Sequence, residues 1–171
     1  QRQMCIRDSY QAVVGSHLPP LFSERVNVVI FYDFEVFKED WLAVFIDVTK
    51  KKEYVIINNP DELKALYEAN SKDIWVGYNN RHYDQYIMKG ILLGMNPKRI
   101  NDWIIVEKKE GWQFSSAFNK VPMINYDVMP NPPVGLKTLE GFLGSNIKET
   151  DVDFRINRKL TKEEIEMTVF Y

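Results

Sequence analysis

The stretch Val28-Val29-Ile30-Phe31-Tyr32-Asp33-Phe34-Glu35 constrains this chain more than any other. Its apolar run predicts a buried strand over Val26 to Asp33, closing on two carboxylates with one residue between them. Successive strand side chains point to opposite faces, so Asp33 and Glu35 share a face. Two acids held that close repel unless a cation lies between them. Hard divalent ions such as Mg²⁺ take oxygen ligands of this kind.

The remaining elements follow in order. Trp41 to Val48 and Glu53 to Asn58 read as second and third strands, with Lys50-Lys51-Lys52 as a charged turn. Connections this short predict an antiparallel meander. Asn59-Pro60-Asp61-Glu62 is a helix start, with Leu63, Leu66 and Tyr67 on the buried face. Asp73 to Tyr78 predicts a fourth strand, and a helix from about Tyr83 to Leu93 stops at Gly94. Asn96-Pro97 starts a further helix through Trp103, Ile104 and Ile105. Gly111 to Val121 reads as loop or hairpin. Met123 to Val128 reads as a fifth strand, followed by a link extended by Pro130, Pro132 and Pro133. Leu136 to Leu143 predicts a short helix stopped by Gly144, and Lys148 to Arg158 is charged and irregular. Thr161 and Glu164 form a capping box, with Leu160 and Ile165 as its hydrophobic staple. The order predicts an α/β chain with a mixed sheet flanked by helices.

Composition narrows the classes of function. Of 171 residues, 45% are hydrophobic, which suffices for the core of one domain. A formal net charge of -2 argues against a broad electrostatic nucleic-acid binder, though not against an enzyme that grips a strand end. No apolar run reaches the roughly 18 residues of a membrane span. The single cysteine, Cys5, leaves no internal disulfide partner and fits a reducing, cytoplasmic setting. Residues 1–9 carry Gln3-Met4-Cys5-Ile6-Arg7-Asp8, which resembles a translated sequencing adapter, and are set apart as a scar. Residues 10–25 are a lead-in without clear period, and 26–171 form the expected domain, open at its C-terminal end.

A second polar cluster, Gly77-Tyr78-Asn79-Asn80-Arg81-His82-Tyr83-Asp84, lies between a predicted strand and helix. Helix capping needs only one of Asn80 or Asp84. Two asparagines, an aromatic and an acid exceed that need. The remaining candidates are weaker. Lys137 is either a phosphate contact or a solvated helix-end lysine. His82 reads as a bland loop histidine, and Asp127 as either a cleft residue or a turn cap. The four tryptophans, Trp41, Trp75, Trp103 and Trp112, read as core. Asp151 and Asp153 read as a solvated pair.

Asp33-Phe34-Glu35, then Asn79 or Asn80 with Tyr83-Asp84, then a terminal helix reaching Tyr171, resembles the DEDD (DnaQ-like) 3′–5′ exonucleases. The likeness is nearest to the proofreading domains of phage DNA polymerases. That resemblance implies a ribonuclease-H-like fold and two divalent ions, Mg²⁺ or Mn²⁺, roughly 4 Å apart. It implies that Asp33 bridges both ions, that Glu35 and a fourth acid hold one, and that Asp84 holds the other. It implies that Tyr171 orients the attacking water. Asn79 or Asn80, with Tyr83 or Phe34, would hold a single-stranded DNA 3′ end, the aromatic by stacking. A polymerase domain is expected in the same parent chain, in a bacterial host cytoplasm. The family's fourth carboxylate is expected four residues past Tyr171, so this fragment is expected to be weak or inactive. Val36 stands where many family-B editing domains carry a threonine. Two other classes stay open: a stand-alone ribonuclease-H-like nuclease acting on RNA, and a nucleic-acid-binding module with a degenerate site.

Overall fold

A computed structural model describes residues 28–142 and 152–169. The elements run β1 (Val29–Val36), β2 (Trp41–Asp47), β3 (Lys52–Ile57), α1 (Pro60–Ala69), β4 (Ile74–Gly77), α2 (Asp84–Leu92) and α3 (Pro97–Asn101). A π-helical turn (Asp102–Val106) continues α3. Two 3₁₀ turns (Gly111–Gln113 and Ser116–Lys120), β5 (Ile124–Asp127), α4 (Leu136–Phe142) and α5 (Lys162–Val169) complete the described chain. The expected α/β architecture is present as a five-stranded mixed sheet in the order β3-β2-β1-β4-β5. The three N-terminal strands pair antiparallel, as expected from their short turns. β4 and β5 add on parallel to β1.

β1 is central and covered on both faces, which is why it reads as nearly continuous apolar sequence. Ile30, Tyr32, Phe34 and Val36 join Phe45, Ile56 and Trp75 under α1, α2 and α3, where Leu63, Ile87, Met88 and Ile100 close the core. On the opposite face Phe31 packs with Val76. Nearby, Phe37 and Leu42 pack with Val152, Leu160 and Val169. The segment before α5 and α5 itself therefore form a second layer.

Local signals explain the helix ends. Asn59 accepts from the Glu62 backbone N–H at 3.2 Å, with Pro60 in the first turn. Thr161 Oγ1 accepts from Glu164 N–H at 3.2 Å, and Glu164 Oε2 accepts from Thr161 N–H at 2.7 Å. Leu160 and Ile165 fall in one apolar cluster, as a staple requires. α2 ends with Gly94 at φ +73°, its N–H donating to Ile91 O while Met95 N–H reaches Gly90 O. That is the left-handed stop that glycine makes at little steric cost.

Two expectations change and one is narrowed. β1 continues to Val36, so the two acids lie within the strand rather than at its end. Gly111 to Val121, read as loop or hairpin, takes the loop alternative and carries two 3₁₀ turns. Trp112, on a short 3₁₀ turn, is 60% exposed and outside the core. Among the described residues, no helix is long and apolar enough to cross a membrane.

Candidate active site

Asp33 and Glu35 face the cleft at the C-terminal half of β1, paired in register with Val44 and Leu42 of β2. Asp33 is 9% exposed and Glu35 is partly exposed. Asp84, 1% exposed, is the first residue of α2. Its carboxylate reaches across the cleft floor and accepts the Phe34 backbone N–H at 3.1 Å. That bond joins the second polar cluster to the first and sets Asp84 beside the strand residue between the two acids. The cleft has a volume of about 600 Å³. One wall is α3 and the π turn, with Asn101, Ile105 and Val106, and the other is residues 154–156. It opens along the C-terminal half of β1, which has an antiparallel neighbour on one side and, up to Phe31, a parallel one on the other. Open α/β sheets place ligands at such points.

The β4–α2 loop is built to deliver Asp84. Asp127, at the end of β5, accepts N–H bonds from Asn79 (2.8 Å), Arg81 (3.0 Å) and Met129 (2.9 Å). Asn79 sits at φ +57°, a left-handed conformation that asparagine tolerates better than most residues. Asn80 is 0% exposed. Its amide donates to Asn125 Oδ1 and to Tyr126 O, both at 3.0 Å, and clamps the loop to β5. Gly77 permits this approach: a Cβ there would stand 2.8 Å from Asn80 Nδ2 and 3.0 Å from Tyr32 O. Tyr83 caps the helix by backbone only, and its hydroxyl donates to Asn101 Oδ1 at 2.7 Å, tying α2 to α3.

The electrostatics of the floor are those of crowded anions. Burial pushes the Glu35 carboxyl well above the ordinary carboxylate range, and the charge of Asp84 pushes it further. The buried Tyr32 phenol is held well above its usual value by burial, then by Asp84, Asp127 and Asp33. Its hydroxyl donates to Asn125 Oδ1 at 2.8 Å. On the α3 wall, Lys98 pairs with Asp102. Among the described residues, no three His, Cys, Asp or Glu side chains form a ligating group, and the three acids line one cleft. Three carboxylates lining one cleft are a donor set of the chemistry that a hard divalent cation takes.

The fold thus brings Asp33, Glu35, Asp84 and Tyr83 together. Phe34 borders the cleft, but its ring is buried in the core. Period-2 geometry turns its ring to the opposite face, where it packs edge-on to Tyr32 and Phe45 (centroids 6.2 and 5.8 Å) and beside Trp41. Asn80 is likewise withdrawn as a substrate contact, because its amide is buried and engaged with β5. Asn79 is the more accessible asparagine, but it too is absent from the cleft lining. Lys137 falls on α4, and Tyr171 lies outside the described residues. Asp127 is a turn cap. His82 is exposed, 3.9 Å from Glu110. Of the second acid pair, Asp151 lies outside the described residues and Asp153 is held by Arg155 at 3.0 Å.

Sequence reasoning missed the cleft's walls. One signal was available for each. Trp103-Ile104-Ile105-Val106 is more apolar sequence than one helical stripe buries, and Phe154 and Ile156 alternate within an otherwise charged stretch. Comparison of the chain with protein-family models, curated proteins and solved structures finds no match.

Proposed function

We propose that this chain is the 3′–5′ exonuclease domain of a phage-like DNA polymerase, acting on a single-stranded DNA 3′ end in the cytoplasm. One observation carries the reading: Asp33, Glu35 and Asp84, from two motifs about fifty residues apart, line a single cleft, with Asp84 bonded to the Phe34 N–H between the other two. The sheet order, with β2 antiparallel and β4 and β5 parallel to β1, supports the ribonuclease-H-like assignment.

Asp33, Glu35 and Asp84 would hold the divalent ions, Mg²⁺ or Mn²⁺. When bound, such ions supply an activated water and neutralise charge on the phosphodiester. The chain's own contribution is positional. The Phe34 N–H fixes the Asp84 carboxylate. The Tyr83–Asn101 bond fixes the wall above it. The hydrophobic layers on both sides of β1 hold Asp33 and Glu35 against their mutual repulsion. Tyr171 keeps the role that the resemblance implies, orienting the attacking water.

The test uses the chain extended past Tyr171, with 5′-labelled single-stranded DNA and Mg²⁺ or Mn²⁺. A ladder shortened from the 3′ end is expected, and it disappears in Asp33→Ala with Asp84→Ala. Undigested DNA, or a ladder unchanged in the double variant, would overturn the assignment. Faster digestion of RNA than DNA would favour the stand-alone ribonuclease.

A further inference from the structure

We infer that Asn125 is a positioning residue of the carboxylate set. From β5 it fixes the separation of Asp33 and Asp84, and so sets the affinity of the site for its cations. The inference rests on the reading that the three acids hold divalent ions, and it names the residue that spaces them.

Asn125 stands where the sheet pattern calls for an apolar side chain. It is in register with Trp75 of β4, which pairs in turn with Ile30 of β1, and both of those lie in the core beneath the helices. Its neighbours Ile124 and Tyr126 turn to the other face and are exposed. An amide on the covered face costs free energy unless its polar atoms are engaged. Here they are. Oδ1 accepts from the Tyr32 hydroxyl at 2.8 Å and from Asn80 Nδ2 at 3.0 Å, and Nδ2 donates to Asn80 Oδ1 at 3.3 Å. Asn80 and Asn125 form a reciprocal amide pair, with Tyr32 as a third arm. A satisfied buried network of this kind rigidifies what it joins.

What it joins is the two acid motifs. Tyr32 immediately precedes Asp33 in β1. Its hydroxyl crosses β4 to reach β5, two strands away, or roughly 9–10 Å at the usual strand spacing. On the other side, the Asn80 carbonyl accepts the N–H of Tyr83 at 3.3 Å and of Gln85 at 3.2 Å, the residues before and after Asp84. The first turn of α2 therefore hangs on Asn80, and Asn80 on Asn125. Both arms end on the immediate neighbours of a proposed cation ligand. An apolar side chain at this position would join β5 to the core without fixing either acid. Bonds that orient a metal ligand directly are worth about 10–100-fold in metal affinity. Asn125 acts through the neighbours of the ligands, so the lower end of that range applies.

The experiment titrates the chain with Mn²⁺, well below every variant's melting temperature, and follows the EPR signal of the free ion, which fades on binding. Asn125→Ala should bind Mn²⁺ about tenfold more weakly than wild type. Tyr32→Phe keeps the ring against Phe34 and Trp75 and deletes only the hydroxyl. It should bind about threefold more weakly, the worth of one neutral hydrogen bond. The double variant should match Asn125→Ala, because the Tyr32 bond ends on the amide already removed. Leu63→Ala, in the core under α1, is the control: it should melt lower with unchanged Mn²⁺ affinity. Tyr32→Phe keeps the test sound even if Asn125→Ala fails to fold. Wild-type affinity in either folded variant overturns the positioning role and leaves the acid set standing. An equal weakening in Leu63→Ala overturns it as well, since general loosening then accounts for the loss. Effects that multiply in the double variant contradict the shared node. Wild type that binds no Mn²⁺ overturns both this role and the cation reading.

Discussion

Replacing Asn80 with alanine separates a structural clamp from a substrate contact. The Asn80 amide makes two donor bonds at 3.0 Å, and its oxygen accepts from Asn125 Nδ2 at 3.3 Å. Each bond contributes about 1 kcal/mol net, and the Tyr126 carbonyl would lose a buried donor. The small cavity adds to that, for a total of about 2–4 kcal/mol. At roughly 2–4 °C per kcal/mol for a chain of this size, the melting temperature should fall by about 5–15 °C. Urea unfolding should show a lower midpoint with an unchanged slope. Asn79→Gly is the control, since glycine accepts the φ +57° of that position and keeps the N–H bond to Asp127. A loss under about 0.5 kcal/mol in Asn80→Ala, joined to weaker single-strand binding, would refute the clamp and return Asn80 to the substrate.

Two further outcomes follow from the packing and the charges. Phe34→Ala should cost about 3–5 kcal/mol by urea denaturation, because it empties a site enclosed by Tyr32, Trp41 and Phe45. A folded Phe34→Leu should retain single-strand affinity. Glu164 should titrate at about 2, held down by Arg158 and then by the Thr161 N–H. Its folded value lies below the unfolded one, so its contribution to holding α5 is complete above the ordinary carboxylate range and lost as pH falls through about 2. Carboxyl NMR titration reads this directly, and a Glu164 midpoint near the ordinary value would contradict it.

Where local chemistry decides, the sequence was readable. Asn59 with Pro60, the Thr161–Glu164 box and Gly94 each act within a few residues of themselves, and each appears in the fold as expected. The shared face of Asp33 and Glu35 follows from strand period alone. What stayed hidden depends on contacts distant in sequence. Asn79 and Asn80 are chemically identical neighbours, and only β5, about 45 residues on, buries one of them. Phe34 reads as a candidate for stacking until the helices that cover its face are known. Phe154 and Ile156 lie in a stretch whose charges conceal its apolar alternation until Phe37 is seen beneath them.

The central claim is that Asp33, Glu35 and Asp84 form one cation-holding set, and thermal melting with and without Mn²⁺ tests it most directly. A ligand at a hundred times its dissociation constant stabilises by about 2.7 kcal/mol, which for this chain is a rise of about 5–10 °C. Wild type should show that rise. Asp33→Ala with Asp84→Ala should show none, while Val106→Asp should match wild type. No Mn²⁺-dependent rise in wild type, or an equal rise in the double variant, would contradict the claim.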